Sequence, residues 1–123
     1  MPDRPKVARG RSRTIVCAIR RSGDSPARDY LDALDRRYAV RFEALFQNMV
    51  ESGRCGSEQA FKKVSGSIWE FKRAQHRIAC YQDGKYLILL HGFQKKQDRW
   101  PKQELARAER IMREDQELGR PQN

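Results

Sequence analysis

The chain has little of what marks the dedicated chemistries most easily read from sequence. Its three cysteines, Cys17, Cys55 and Cys80, are widely spaced and odd in number, so they indicate neither a zinc site nor a disulfide framework. Thiols of this kind fit a reducing, cytoplasmic setting. There is no phosphate-binding glycine loop, no HExxH and no nucleophile elbow, so no metal or cofactor is expected. The longest early apolar run, TIVCAI, is far too short for a secretory core or a membrane span, and no membrane partner is expected. Internal repeats are absent. Acidic residues are outnumbered: 16 Asp and Glu stand against 26 Lys and Arg, leaving a net charge of +10 over 123 residues. A surplus of that size favours a polyanionic partner.

The length allows one domain with one modest core. Residues 1–13, MPDRPKVARGRSR, are basic and nearly devoid of apolar side chains, which predicts a flexible arm. The domain is expected over 14–118, with 119–123 as a flexible tail. A β-branched strand runs near Thr14 to Arg20, closed by RSGDSP. Ser25 then Pro26 predicts a helix start with a side-chain cap, followed by Ala27, Tyr30, Leu31 and Leu34 at helical spacing. Phe42, Leu45, Phe46, Met49 and Val50 form a second stripe that Gly53 ends, and the two helices are expected to pair antiparallel. SIWEFKR, HRIACY and KYLILLHGF then read as three strands, the last two joined by an Asp83-Gly84 turn. The last strand is apolar on both faces and so central in its sheet. Pro101 opens a final helix with Leu105, Ala108 and Met112 on one stripe. The result is an α+β domain with a small sheet dominated by antiparallel pairs.

Arg77 lies about six residues before the hairpin and His91 about seven after it, so the two strand ends meet. Lys95 and Lys96 follow at the strand exit, and Arg99 and Lys102 flank the start of the last helix, whose N-terminal N–H groups favour anions. The pattern predicts a cationic pocket suited to a phosphate. For RNA cleavage there, Arg77 is the electrostatic clamp, because a guanidinium stays charged. His91 is the acid/base candidate. Lys95 or Lys96 would supply a proton or stabilise charge, with Lys96, nearer the helix, expected to matter more. Glu70, between Trp69 and Phe71, would pair with Arg77 in support. Lys62, Lys63, Lys72 and Arg73 extend the basic surface toward ribosomal RNA. Taken singly, a histidine at a strand end is more often structural, and a lysine pair before a helix is usually solvated.

SGSIWEFKR, HRIACY, LILLHGFQKK and then a proline before a basic amphipathic helix resemble the phage-derived, HigB-like toxins of the RelE/ParE superfamily. The segment ARDYLDALDRRYAVRFEALFQNMVESG resembles that family's paired helices, so the likeness runs over roughly residues 14 to 117. It implies a RelE-like fold and a type II toxin acting as a ribosome-dependent mRNA endoribonuclease (an mRNA interferase) that inhibits translation. It also implies the 2′-hydroxyl as nucleophile, no metal, and neutralisation by a helix-turn-helix antitoxin. By position, Arg77 matches the family's strand arginine, while His91, Lys95 and Lys96 match its strand-exit cluster. Three places depart from the pattern: Glu70-Phe71-Lys72 stands where the family usually has Glu-Leu-Arg, Cys80 replaces a tyrosine, and Trp100 replaces a small residue before the proline. The superfamily's ParE branch poisons gyrase without cutting RNA. The alternative is therefore a non-enzymatic toxin, or an inactive relative retained for antitoxin or nucleic-acid binding.

Overall fold

Six strands form one sheet in the order β1-β2-β6-β5-β4-β3 in the computed structural model, which describes residues 3–55, 59–96 and 99–122. The strands are β1 (Lys6–Arg9), β2 (Thr14–Cys17), β3 (Phe61–Ser65), β4 (Ile68–Arg73), β5 (His76–Asp83) and β6 (Tyr86–Gln94). The helices are α1 (Pro26–Ala33), α2 (Arg36–Ser52) and α3 (Lys102–Glu117). Only β2 and β6 pair parallel, because two helices and three strands separate them along the chain. The other neighbours are antiparallel, so the sheet is mixed and the class is α+β as expected.

The doubly apolar β6 sits inside the sheet, between two cores. On one face Leu87 and Leu89 join Ile15, Phe42, Phe46, Met49 and Phe71 beneath α1 and α2. On the other, Ile88 and Leu90 join Val16, Ile68, Ala108 and Ile111 beneath α3. Each such side chain contributes about 1.5–3 kcal/mol by leaving water, which makes β6 the most heavily anchored strand. α2 is capped by the Asp35 carboxylate, which accepts from the Arg37 N–H at 3.0 Å, and it ends at Gly53 with φ 78°.

Several expectations are corrected. The supposed arm contains β1, and Arg4 is only 2 % exposed. Its guanidinium donates to Asp115 Oδ1 at 3.0 Å and to the Gly119 carbonyl at 2.6 Å, while Asp115 also accepts from Tyr81 Oη at 2.7 Å and Ile19 N at 2.9 Å. An edge strand is held by backbone bonds, such as Cys17 N to Pro5 O at 2.9 Å, so a polar composition does not preclude it. The tail also packs: Arg120 meets Asp83 at 3.0 Å, and Pro121 is buried. Ser25 gives α1 no side-chain cap, its hydroxyl donating to the Ala18 carbonyl at 2.8 Å instead. The two helices pack mainly on strands, α1 on β6 and α2 on β1, rather than as a pair. The meander gains a fourth strand, β3. Among the described residues no helix is long and apolar enough to cross a membrane.

Candidate functional site

Cross-strand partners share a face of the sheet, so the register decides which charged residues meet. Lys62 lies opposite Glu70, Lys72 opposite Arg77, and Arg77 opposite Phe93. These residues occupy the α3 face. Lys63 lies opposite Trp69, and Arg73 opposite His76, on the α2 face. The basic surface expected from sequence is thus divided between the two sides. His91 reaches the α3 face through a bulge: Ala79 pairs with His91 but Cys80 with Leu89, leaving Leu90 as the extra residue. Simple alternation would have turned His91 toward α1 and α2.

Arg77 and Glu70 form the buried heart of this face, at 7 % and 1 % exposure. Arg77 Nη1 donates to the Ala74 carbonyl at 2.7 Å and the His76 carbonyl at 3.0 Å, while its Nε lies 3.6 Å from Glu70 Oε2. Neither Nε nor Oε2 has a hydrogen-bond partner within the described residues. Glu70 Oε1 accepts from Trp100 Nε1 at 2.6 Å, and the Trp100 ring meets Phe93 edge to face at 4.7 Å. The turn beneath Arg77 is strained. The three meander hairpins, at Gly66, Ala74 and Gly84, have φ of 55°, 51° and 61° at the first turn residue. A β-carbon costs about 1–2 kcal/mol in that region, yet one of the three residues is alanine, and its carbonyl holds Arg77.

His91 is 1 % exposed. Its Nε2 lies 3.1 Å from Glu104 Oε1 and its ring stacks on Phe93, with centroids 5.5 Å apart. Burial, then the nearby Arg107, pushes its pKa down to about 4, so the ring is neutral at pH 7. The neutral ring donates Nε2–H to Glu104, leaving Nδ1 as a buried acceptor without a partner among the described residues. His91 also lines a cleft with Arg20, Asp29, Tyr30, Gly92 and Arg107. Gly92 is required there, since a β-carbon would lie 2.2 Å from the Tyr30 ring.

Lys95 is partly buried, and its backbone N–H bonds the Gln75 carbonyl at 2.7 Å. Its pKa is lowered, first by burial and then by the charges of Arg77, Lys62 and Lys72, against the opposing pull of Glu70. Phe93 lies opposite Arg77 and Gln94 lines the other face, so by alternation Lys95 follows on the Arg77 side. Lys96, Arg99 and Lys102 are exposed, Lys96 beyond the end of β6 and the other two beside the start of α3. Sequence reasoning gave Trp100 and Ala74 no role in the site; the absence of glycine from the Arg73–His76 hairpin was the one available signal. No group of three or more metal-ligating side chains occurs among the described residues.

Together these features define an α+β protein with a cationic cluster on the α3 face, built around one buried carboxylate. The chain belongs to the family described as phage derived protein Gp49-like (DUF891), whose profile matches residues 29–113. That span runs from α1 through most of α3 and leaves β1 and β2 outside it. No curated protein matches the chain.

Proposed function

We propose that this protein is the toxin of a type II toxin–antitoxin pair, with a RelE-like fold of the HigB kind. It would act in the cytoplasm as a metal-independent, ribosome-dependent mRNA endoribonuclease. The observation that carries this reading is the register that sets Lys62, Lys72 and Arg77 on one sheet face, with Lys95 following two residues after Phe93, the cross-strand partner of Arg77. Membership of a phage-derived family supports it. In such a cleavage the 2′-oxygen attacks phosphorus, the P–O5′ bond breaks, the 2′-hydroxyl loses a proton and the 5′-oxygen gains one. Arg77, fixed by two carbonyls, neutralises the charge that builds on the phosphorane. Lys95, whose ammonium is weakened by its surroundings, protonates the 5′-oxygen. His91, buried and bonded to Glu104, ties β6 to α3 and acts as a positioning residue rather than the proton carrier.

The partner is a helix-turn-helix antitoxin with an acidic segment over Lys95 and Arg77, excluding RNA by occupancy. Expression in bacteria is expected to halt growth and to create new mRNA 5′ ends, mapped by primer extension, only on translated messages. Cleavage by the purified toxin–antitoxin pair as fast as by the toxin alone would refute occupancy. The depth of Arg77, 7 % exposed, favours one second reading, a non-enzymatic toxin of the ParE type. Growth arrest with intact message and inhibited gyrase would select it.

A further inference from the structure

Directly behind Arg77 on the chain, and on the opposite face of the sheet, lies a cleft that the cationic cluster does not use. Its lining includes Tyr30, Arg37, Tyr38, Gln75, His76 and Gln94. His76 is 5 % exposed, and its Nδ1 lies 2.5 Å from Tyr30 Oη. Tyr38 packs on the His76 ring at 4.7 Å, and the Arg37 guanidinium lies over the Tyr38 ring at 5.0 Å. The Arg37 side chain is 74 % exposed, with its Nε 3.4 Å from the carboxylate of Asp35, which also lines the cleft. Burial pushes the Tyr30 phenol up to about 12, so it stays protonated and donates to Nδ1. Burial, and then Arg77, lowers the His76 pKa, which leaves a neutral ring with its proton on Nε2.

Each component has a use in holding one kind of group. The exposed guanidinium plane and the tyrosine beneath it offer a stacking surface, and the two glutamine amides offer donor–acceptor pairs for the edge of a planar heterocycle. Gln75, in the β4–β5 turn, lines this cleft, and His76 directly precedes Arg77 of the cationic cluster. Gln94 lines the cleft and Lys95, the next residue, faces Arg77. A strand of RNA rounding the β4–β5 hairpin tip would pass from one site to the other.

We propose that the Tyr38–His76–Arg37 cleft binds a nucleobase of single-stranded RNA, stacked on Arg37 and Tyr38 and read at its edge by His76, Gln75 and Gln94. This rests on the RNA-directed reading of the opposite face and adds to it a subsite for the base next to the phosphate. The test uses the full chain away from the ribosome, with a 2′-O-methyl RNA hexamer that cannot be cut and an abasic hexamer with the same backbone. Binding is followed by NMR at the His76 ring and by fluorescence anisotropy. The base-bearing hexamer is expected to shift the His76 ring resonances and to bind roughly tenfold tighter than the abasic one, the size that aromatic stacking of a base supplies. The surface change Arg37→Ala removes most of that difference while leaving the thermal midpoint in place, and Tyr38→Leu independently removes it as well. Equal affinity for the two hexamers, or binding without a His76 response, would overturn the proposal. A His76 response to an acidic peptide but not to RNA would also overturn it and give the cleft to a protein partner. Because no cleavage is measured, failure of the nuclease reading leaves this result unaffected.

Discussion

Replacing Glu70 by glutamine isolates the charge at the centre of the site. The amide keeps the shape and can still accept from Trp100 Nε1, so the change removes chiefly the negative charge 3.6 Å from Arg77 Nε. At an effective dielectric constant of about 20, two unit charges at that separation attract by roughly 4–5 kcal/mol. Removing one member of a buried pair usually costs about 3–5 kcal/mol, because the other charge is left without compensation. Arg77 keeps its bonds to the carbonyls of Ala74 and His76, which places Glu70→Gln at the lower end, about 3 kcal/mol. For a chain of this length that lowers Tm by roughly 12 °C. Urea unfolding followed by circular dichroism measures the loss directly. The paired change Glu70→Leu with Arg77→Met should be milder than Glu70→Gln alone, since it buries no unmatched charge. If Glu70→Gln lies within about 0.5 kcal/mol of wild type, or the double variant is the less stable, the argument that Glu70 stabilises a buried cation fails. The same substitution makes the face more positive, so the folded fraction should bind single-stranded RNA more tightly at low salt.

Lys95→Ala is expected to slow ribosome-dependent cleavage about 100-fold and Lys96→Ala by less than tenfold, and single-turnover rates on programmed ribosomes would expose the reverse order. His91 is neutral in the fold and protonates near pH 6.5 when unfolded. The unfolded chain therefore binds more protons between pH 6.5 and about 4, and stability falls as pH drops through that window. The contribution approaches 3 kcal/mol by about pH 4, so His91→Gln should flatten the pH dependence of unfolding there, and an unchanged slope would refute the assignment. Ala74→Gly should raise stability by up to about 1 kcal/mol by relieving the positive φ, with a loss on thermal melting as the contrary result.

What could be read from the sequence was whatever repeats a physical period. The apolar alternation of β6, the Phe42–Val50 stripe of α2 and the Asp83-Gly84 turn are local signals, and each stands where it was expected. The convergence of Glu70, Arg77 and the strand exit followed from counting along a hairpin. The bulge at Leu90 could not be counted, because a single extra residue changes the face of everything after it while leaving the apolar pattern plausible to either side. It placed His91 under α3, buried against Glu104 and Phe93. The strands β1 and β3 were missed for a related reason. Lys6, Arg9, Lys62 and Lys63 lie at sheet edges, where one side of the backbone supplies the hydrogen bonds and the side chains stay in water. Ranking Lys96 above Lys95 relied on closeness to the helix, whereas the field around Lys95 depends on tertiary neighbours from three strands.

The pairing of Arg4 with Asp115 spans 111 positions, close to the whole chain. At synthesis rates of about 5–20 residues per second, Arg4 leaves the peptidyl transferase centre some 6–22 s before its carboxylate partner is made. Through that interval β1 can form its backbone ladder with β2, but it must do so before the Asp115 carboxylate that Arg4 binds has been made. Tyr81 and Ile19 likewise wait for the carboxylate that both of them bind. Completion of the fold thereby waits for α3 to be made, and a nascent chain still tethered near residue 100 lacks the contact that draws β1 down onto that helix.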